Sequence, residues 1–356
     1  MTKHPYLNQP DRAFWSRAVT ANFQPADLLN SDDQLFQAGD RVTSAGSCFA
    51  SNLIPYIESA GLEYVRTESL PDAFTSMGEN LGYANFSAAY GNIYTAKQLR
   101  QLYERAAEDF KPIDDRFEFD GKVIDLLRPG LRFPASSNAE FDFITANHLA
   151  KTKQAFELAD VFVFTLGLTE GWISTIDGTT YPSCPGTIGG EFNKNKYQFK
   201  NFSVQEIVED TSWFIEALRK NNPNVRFILS VSPVPLVATA TDKHVLTATT
   251  YSKSVLRIAA EELSTQLSNV SYFPAYEIIT GPQAPDNFFE ADRRNVSKLG
   301  VQVVMDALLA ASELKSLQGA KDLNSKNENF SGARIGELSR RIAVADCDEV
   351  MLDQQL

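Results

Sequence analysis

A strand-to-helix junction near the amino end sets the terms for the rest of this chain. Residues 41–45 are a short extended run that delivers Gly46-Ser47-Cys48, and from 49 to 60 the apolar residues recur at helical spacing until Gly61 stops them. In an α/β protein such a junction lies at the carboxyl edge of the sheet. There the amides of the first helical turn are unpaired and favour negative charge. A nucleophile at Cys48 would find a ready oxyanion site; a buried structural thiol is the competing reading.

The remaining pattern alternates strands and helices. Residues 62–66 read as a second strand. Thr95 caps a helix over 96–107 carrying Leu99, Leu102 and Tyr103. Residues 109–138 are rich in charge, Pro and Gly, with a hairpin expected at Asp120-Gly121. A helix over 140–158 then feeds residues 160–166 (DVFVFTL), whose unbroken apolar character suits a strand covered on both faces. Residues 177–201, rich in Gly, Pro, Asn and Asp, read as a long loop over the site, able to act as a lid. Ser203-Val204-Gln205-Glu206 is a capping box that opens a helix ending near Asn222-Pro223. A buried strand over 225–231, a helix over 251–267, a short strand at Tyr272-Phe273 and a last core helix from Ser297 follow.

These units predict an α/β fold, a doubly wound and mainly parallel sheet with long loop insertions and a peripheral tail. Residues 1–40, with Phe14 and Trp15 as apolar anchors, form a collar. Residues 41–312 form the main domain, and 313–356 are a polar linker with a small helix around 333–344.

A net charge of −12 without a Lys/Arg block argues against nucleic acid as a partner. No apolar run approaches the length of a membrane span or a signal peptide, so the expected location is cytoplasmic. Three distant cysteines, Cys48, Cys184 and Cys347, make neither a disulfide framework nor a zinc pattern, and reduced thiols are expected. No cofactor or metal is expected, and the oligomeric state is open. No Gly-Lys-Ser/Thr follows the glycines at 186–190, so a phosphate loop is not supported.

With Gly46-Ser47-Cys48-Phe49-Ala50 in place, the chain resembles the GSCFA family of SGNH/GDSL hydrolase-like proteins. The resemblance extends to Thr165-Leu166-Gly167, Ser232-Pro233-Val234, Tyr251-Ser252-Lys253 and residues 272–277. It implies an SGNH/flavodoxin-like three-layer sandwich with Cys48 at the nucleophile position. It further implies Gly91 with Asn92 as a second block, and Gly167 to Glu170 as a third, in which Thr169 replaces an oxyanion-donating Asn. Asp292-Arg293-Arg294-Asn295 falls where the superfamily has Asp-x-x-His, but Asn cannot take up a proton. Three accounts are open: another residue serves as base, hydrolysis is lost and binding kept, or Asn295 is an engineered change.

Of the three histidines, His4 lies in the amino-terminal arm, His148 lies within a helix, and His244 follows a strand exit on the side where site loops gather. His244 or Asp292 is therefore the candidate to assist proton transfer. Ser47 is the alternative nucleophile, and Glu170 and Glu277 are carboxylates near strand ends. Trp172, Tyr181 and Tyr94 are candidates to stack on a sugar ring. The expected function is an esterase or O-acyltransferase acting on an acylated carbohydrate or similar small ester. The alternative is a catalytically impaired member that binds a glycan or a partner protein in the same cleft.

Overall fold

The computed structural model describes residues 4–29, 35–69, 82–131, 134–310 and 312. Its elements in chain order begin with β1 (Arg41–Gly46), α1 (Cys48–Ser51), α2 (Leu53–Ser59) and β2 (Glu63–Tyr64). Next come α3 (Ala96–Ala107), β3 (Arg116–Phe119), β4 (Lys122–Asp125), α4 (Asn138–Leu158) and β5 (Val161–Leu166). They are followed by β6 (Glu170–Ser174), β7 (Thr180–Tyr181), β8 (Tyr197–Asn201), α5 (Val204–Asn221) and β9 (Arg226–Val231). The last described elements are α6 (Val245–Gln266), β10 (Val270–Phe273), α7 (Ala275–Thr280) and α8 (Lys298–Ala310).

Five parallel strands form the central sheet in the order β10-β9-β5-β1-β2. This is the 2-1-3-4-5 order of a doubly wound sheet, with its switch point between β1 and β5. Side chains of β5 divide the core. Phe162, Phe164 and Leu166 face a cluster that includes Phe156 of α4, Phe214 of α5 and Leu256 of α6. Val161 and Val163 face the opposite cluster, with Leu53 and Ile57 of α2, Ile278 of α7 and Val304 of α8. The result is helix, sheet and helix in three layers, as expected. Phe156, Phe162, Phe214 and Phe227 are each fully buried, and such burial stabilises by roughly 1.5–3 kcal/mol per side chain.

Local signals read from the chain hold at several termini. Thr95 and Ser203 each close a capping box, with Gln98 and Glu206 reaching back to the cap amide. Asp120 and Gly121 join β3 to β4 with φ of 47° and 68°, the left-handed pair of a two-residue hairpin.

Other expectations are corrected. The helix expected over 49–60 is two pieces, broken at Asn52. Pro55 has no N–H to donate, and its ring crowds the carbonyl of Ser51 four residues earlier. The loop expected at 177–201 contains β7 and β8, which pair antiparallel with β6 in a small second sheet. Its strands are short and its apolar content is aromatic, so turn-forming residues hid them. Trp172 packs edge-on to Phe192 and Phe199, and Tyr181 to Tyr197, so both are packing anchors in this sheet. Trp15 is 64% exposed; among the described residues ahead of β1, Leu29, Leu35 and Phe36 are the buried apolar ones. The helix expected at 333–344 and Cys347 lie outside the described residues.

Candidate active site

The switch point brings three loops together. Gly46 closes β1 at a φ of 153°, and a Cβ there would lie 2.8 Å from both the Ala50 Cβ and the Thr165 carbonyl oxygen. Only glycine lets the turn sit this close to β5. The second loop is fastened to the first, with the Ile93 N–H donating to the Gly46 carbonyl at 2.8 Å. It is fastened to the third as well, since Gly167 and Leu168 both donate N–H to the Tyr94 carbonyl, at 3.2 and 2.9 Å. From α6, Lys253 donates its Nζ to the Gly167 carbonyl at 2.8 Å, and the Ser252 Oγ accepts the Thr169 N–H at 3.1 Å. Ser252 and Lys253 are 0% and 1% exposed, so this pair acts as a buried clamp on the exit of β5, while Tyr251 is exposed.

A pocket of about 220 Å³ opens at this crevice, lined by Ser47, Cys48, Tyr94, Gly167, Ser232 and Arg294 among others. Ser47 is 4% exposed and donates its Oγ to the Ser232 Oγ at 3.3 Å, which in turn accepts the Val234 N–H. The two serines both line the pocket. Cys48 is the first residue of α1 and is partly exposed. Its sulfur is disulfide-bonded. The expectation of reduced thiols is thus corrected for Cys48. Cys184 is a free thiol, and burial pushes its pKa up to about 11, which keeps it protonated and unreactive.

The Asp292 to Asn295 turn is closed on itself. Asp292 accepts the backbone N–H groups of Arg294 and Asn295, both at 2.9 Å, and the Asn295 side-chain amide at 2.6 Å. Burial works against ionisation of Asp292, but these hydrogen bonds outweigh it and hold the carboxyl below its ordinary pKa. Arg293 at φ 58° turns the chain. Neither Asp292 nor Asn295 lines the pocket, and the intervening Arg294 does.

Several other sequence candidates are placed elsewhere. His244 is exposed and caps α6, its Nδ1 accepting the Leu246 N–H at 3.1 Å. Gly91 has a φ of 69°, and neither it nor Asn92 lines the pocket. Thr169 is fully buried, with its amide committed to Ser252. Glu170 holds the loop after β9, accepting from the Thr239 hydroxyl at 2.7 Å and the Ala240 N–H at 3.3 Å. Glu277 pairs with Arg257 and Tyr272 at 2.7 and 2.8 Å. The structure therefore brings Ser47, Cys48 and Gly167 to one pocket. To these it adds Arg294, which sequence reasoning missed; the only signal for it was its place inside the Asp-x-x-Asn turn. Among the described residues, no cluster of three or more His, Cys, Asp or Glu side chains is placed to hold a metal ion, and no helix is long and apolar enough to cross a membrane.

A doubly wound α/β domain with a cysteine at the first turn of its switch point is the class that this geometry defines. The chain belongs to the GSCFA family, whose model matches residues 41–308. No curated protein matches it in sequence. Among solved structures it is similar to a carbohydrate esterase family 3 protein from Talaromyces cellulolyticus, at 13% identity and a TM-score of 0.34, over 80% of this chain and 99% of that one. It is also similar to a Parabacteroides merdae protein provisionally described as a GDSL-like lipase, at 12% identity and a TM-score of 0.35, over 79% and 100% of the two chains. A Streptococcus pneumonia protein provisionally described as a platelet activating factor matches at 13% identity and a TM-score of 0.27, over 43% of this chain and 59% of that one. Identities and scores this low say nothing of what the present chain acts on.

Proposed function

We propose that the chain catalyses acyl transfer from a small ester, such as an acylated carbohydrate, as an esterase or O-acyltransferase with Cys48 as nucleophile. One observation carries this reading: Cys48 begins the helix at the β1/β5 crevice and shares a pocket with Arg294, Ser232 and Tyr94. Ligands of doubly wound sheets bind at this crevice.

The disulfide at Cys48 must first be opened by a thiol or phosphine reductant, which is oxidised as the sulfur is released. A thiol is a stronger nucleophile than a hydroxyl and depends less on a histidine base, and Arg294 lines the same pocket. The sulfur then bonds to the acyl carbon, the ester C–O bond breaks, and the leaving alkoxide takes a proton from water. Water or a sugar hydroxyl attacks the thioester next. The C–S bond breaks, the thiolate returns, and the attacking hydroxyl gives its proton to solvent. Glycosyl hydroxyls at the pocket mouth would decide between hydrolysis and transfer.

The test is to reduce the protein with a phosphine, incubate it with an activated acetyl ester and map acetylation by peptide mass spectrometry. The expected result is acetyl on Cys48 in the reduced protein, little without reductant, and loss of turnover in Cys48→Ala. Turnover unchanged in that variant, with no acyl group on Cys48, would sink the reading.

A second reading has its own observation. No histidine or carboxylate lines the pocket among the described residues, and Asn295 is spent on Asp292. A crevice that binds an ester or glycan without turning it over accounts for that arrangement. Saturable glycan binding by reduced protein, with no acyl adduct in the same sample, would favour it.

A further inference from the structure

A second cleft shares no lining residue with the pocket around Cys48. It opens between α3, the segment after β4, α4 and β7, with a volume of about 400 Å³ including its mouth. Two arginines line it, and neither has its hydrogen-bonding capacity filled. Arg128 is 3% exposed; its Nε donates to the Asp125 Oδ2 at 2.7 Å, while its buried Nη1 has no partner. Arg105, from α3, makes no hydrogen bond or ion pair with any described residue. Thr180, on β7, lines the same cleft, and its buried hydroxyl has no partner.

The acidic groups nearby already accept from other donors, Asp115 from the Arg116 guanidinium at 2.7 Å. Asp125 accepts the Leu127 and Arg128 N–H groups on its other oxygen, at 2.8 and 3.0 Å. Glu68 accepts the Ala89 N–H at 2.8 Å and the His148 Nδ1–H at 2.7 Å on one carboxylate oxygen. Burial depresses the Arg105 pKa, the signature of a guanidinium taken from water without full compensation. Arg105 is half-buried and feels Asp125 and Asp115 without bonding to either, so a ligand that binds it directly adds a hydrogen-bonded anion that these carboxylates do not supply. Two guanidinium forks with an adjacent hydroxyl present the donors that oxyanions require, with more positive charge than one carboxylate needs.

We propose that this cleft binds a phosphoryl oxyanion, as free phosphate or as the phosphate of a small metabolite, between Arg105 and Arg128 with the Thr180 hydroxyl as a further donor. The site is independent of the chemistry at Cys48.

Calorimetric titration of the full chain tests it, with inorganic phosphate and phenyl phosphate as probes and chloride balancing ionic strength. Saturable binding is expected, tighter for phenyl phosphate if the natural ligand is a phosphorylated metabolite and tighter for inorganic phosphate if it is the free ion. Arg105→Gln should weaken binding at least tenfold, and Thr180→Val should weaken it by a smaller factor. Without phosphate, Arg105→Gln should melt no lower than wild type, because that cation is held for a ligand and not for the fold. The proposal is overturned if neither probe binds more than chloride, if acetate binds as tightly as phosphate, or if both variants bind like wild type. A melting point lowered in Arg105→Gln with phosphate binding intact would assign Arg105 to the fold instead, and would also overturn it.

Discussion

Acidification should expose His148. Its ring is fully buried in α4, donates Nδ1–H to Glu68 at 2.7 Å and sits near Arg128. Burial first, and the Arg128 charge second, lower its pKa from 6.5 to about 4. Between those two values the unfolded chain binds a proton that the native chain refuses, so stability is full above pH 6.5 and falls as the pH is lowered towards 4. Each unit of pKa difference is worth about 1.4 kcal/mol. Integrated from pH 7 to 5, the loss from this one group is about 2 kcal/mol. Glu68, itself held below its ordinary value against the cost of burial by its bond to His148, adds its own loss only at lower pH. The assay is urea unfolding of wild type and His148→Gln at both pH values. Wild type should lose about 2 kcal/mol more than the variant on going from pH 7 to 5. Equal losses, or a wild type that gains stability on acidification, would refute the argument that this histidine is buried neutral.

Gly46→Ala should destabilise the fold by roughly 2–4 kcal/mol, because the new Cβ meets the Thr165 carbonyl and Ala50 at 2.8 Å; the midpoint of urea unfolding checks it. Ser203→Ala removes one half of a capping box and should cost about 1 kcal/mol in the same assay, with the central sheet intact by circular dichroism. Asn295→His places an imidazole where the Asp292 turn now holds an amide. Because position 295 does not line the pocket, release of the acetyl group from Cys48 should be unchanged, measured as the second phase of single-turnover kinetics in reduced protein.

What was legible in the sequence follows from short-range physics. The capping boxes at Thr95 and Ser203 and the turn at Asp120-Gly121 depend on atoms within four residues of one another. The nearly unbroken apolar run of β5 announces burial on both faces because helices cover each side of the strand. Alternating units then imply a parallel sheet, and the Gly46-Ser47-Cys48 junction names the edge where a site belongs. Three-dimensional placement decided the rest. β1 lies beside β5 across more than a hundred residues, and the antiparallel β6-β7-β8 sheet is stabilised by aromatic contacts that a period-two pattern in such short strands does not reveal.

The same limit governs the site. Sequence pointed to the cysteine, but it could not show that the sulfur is disulfide-bonded, nor that the expected histidine position is an amide folded back onto Asp292. It could not foresee that Arg294 is what lines the crevice with Cys48, or that Glu68 and His148, 80 residues apart, form a buried pair. The order of residues fixes which turns and helices are cheap to form. Which distant side chains meet, and which charges are left without partners, depends on how the layers close, because only then is water removed from between them.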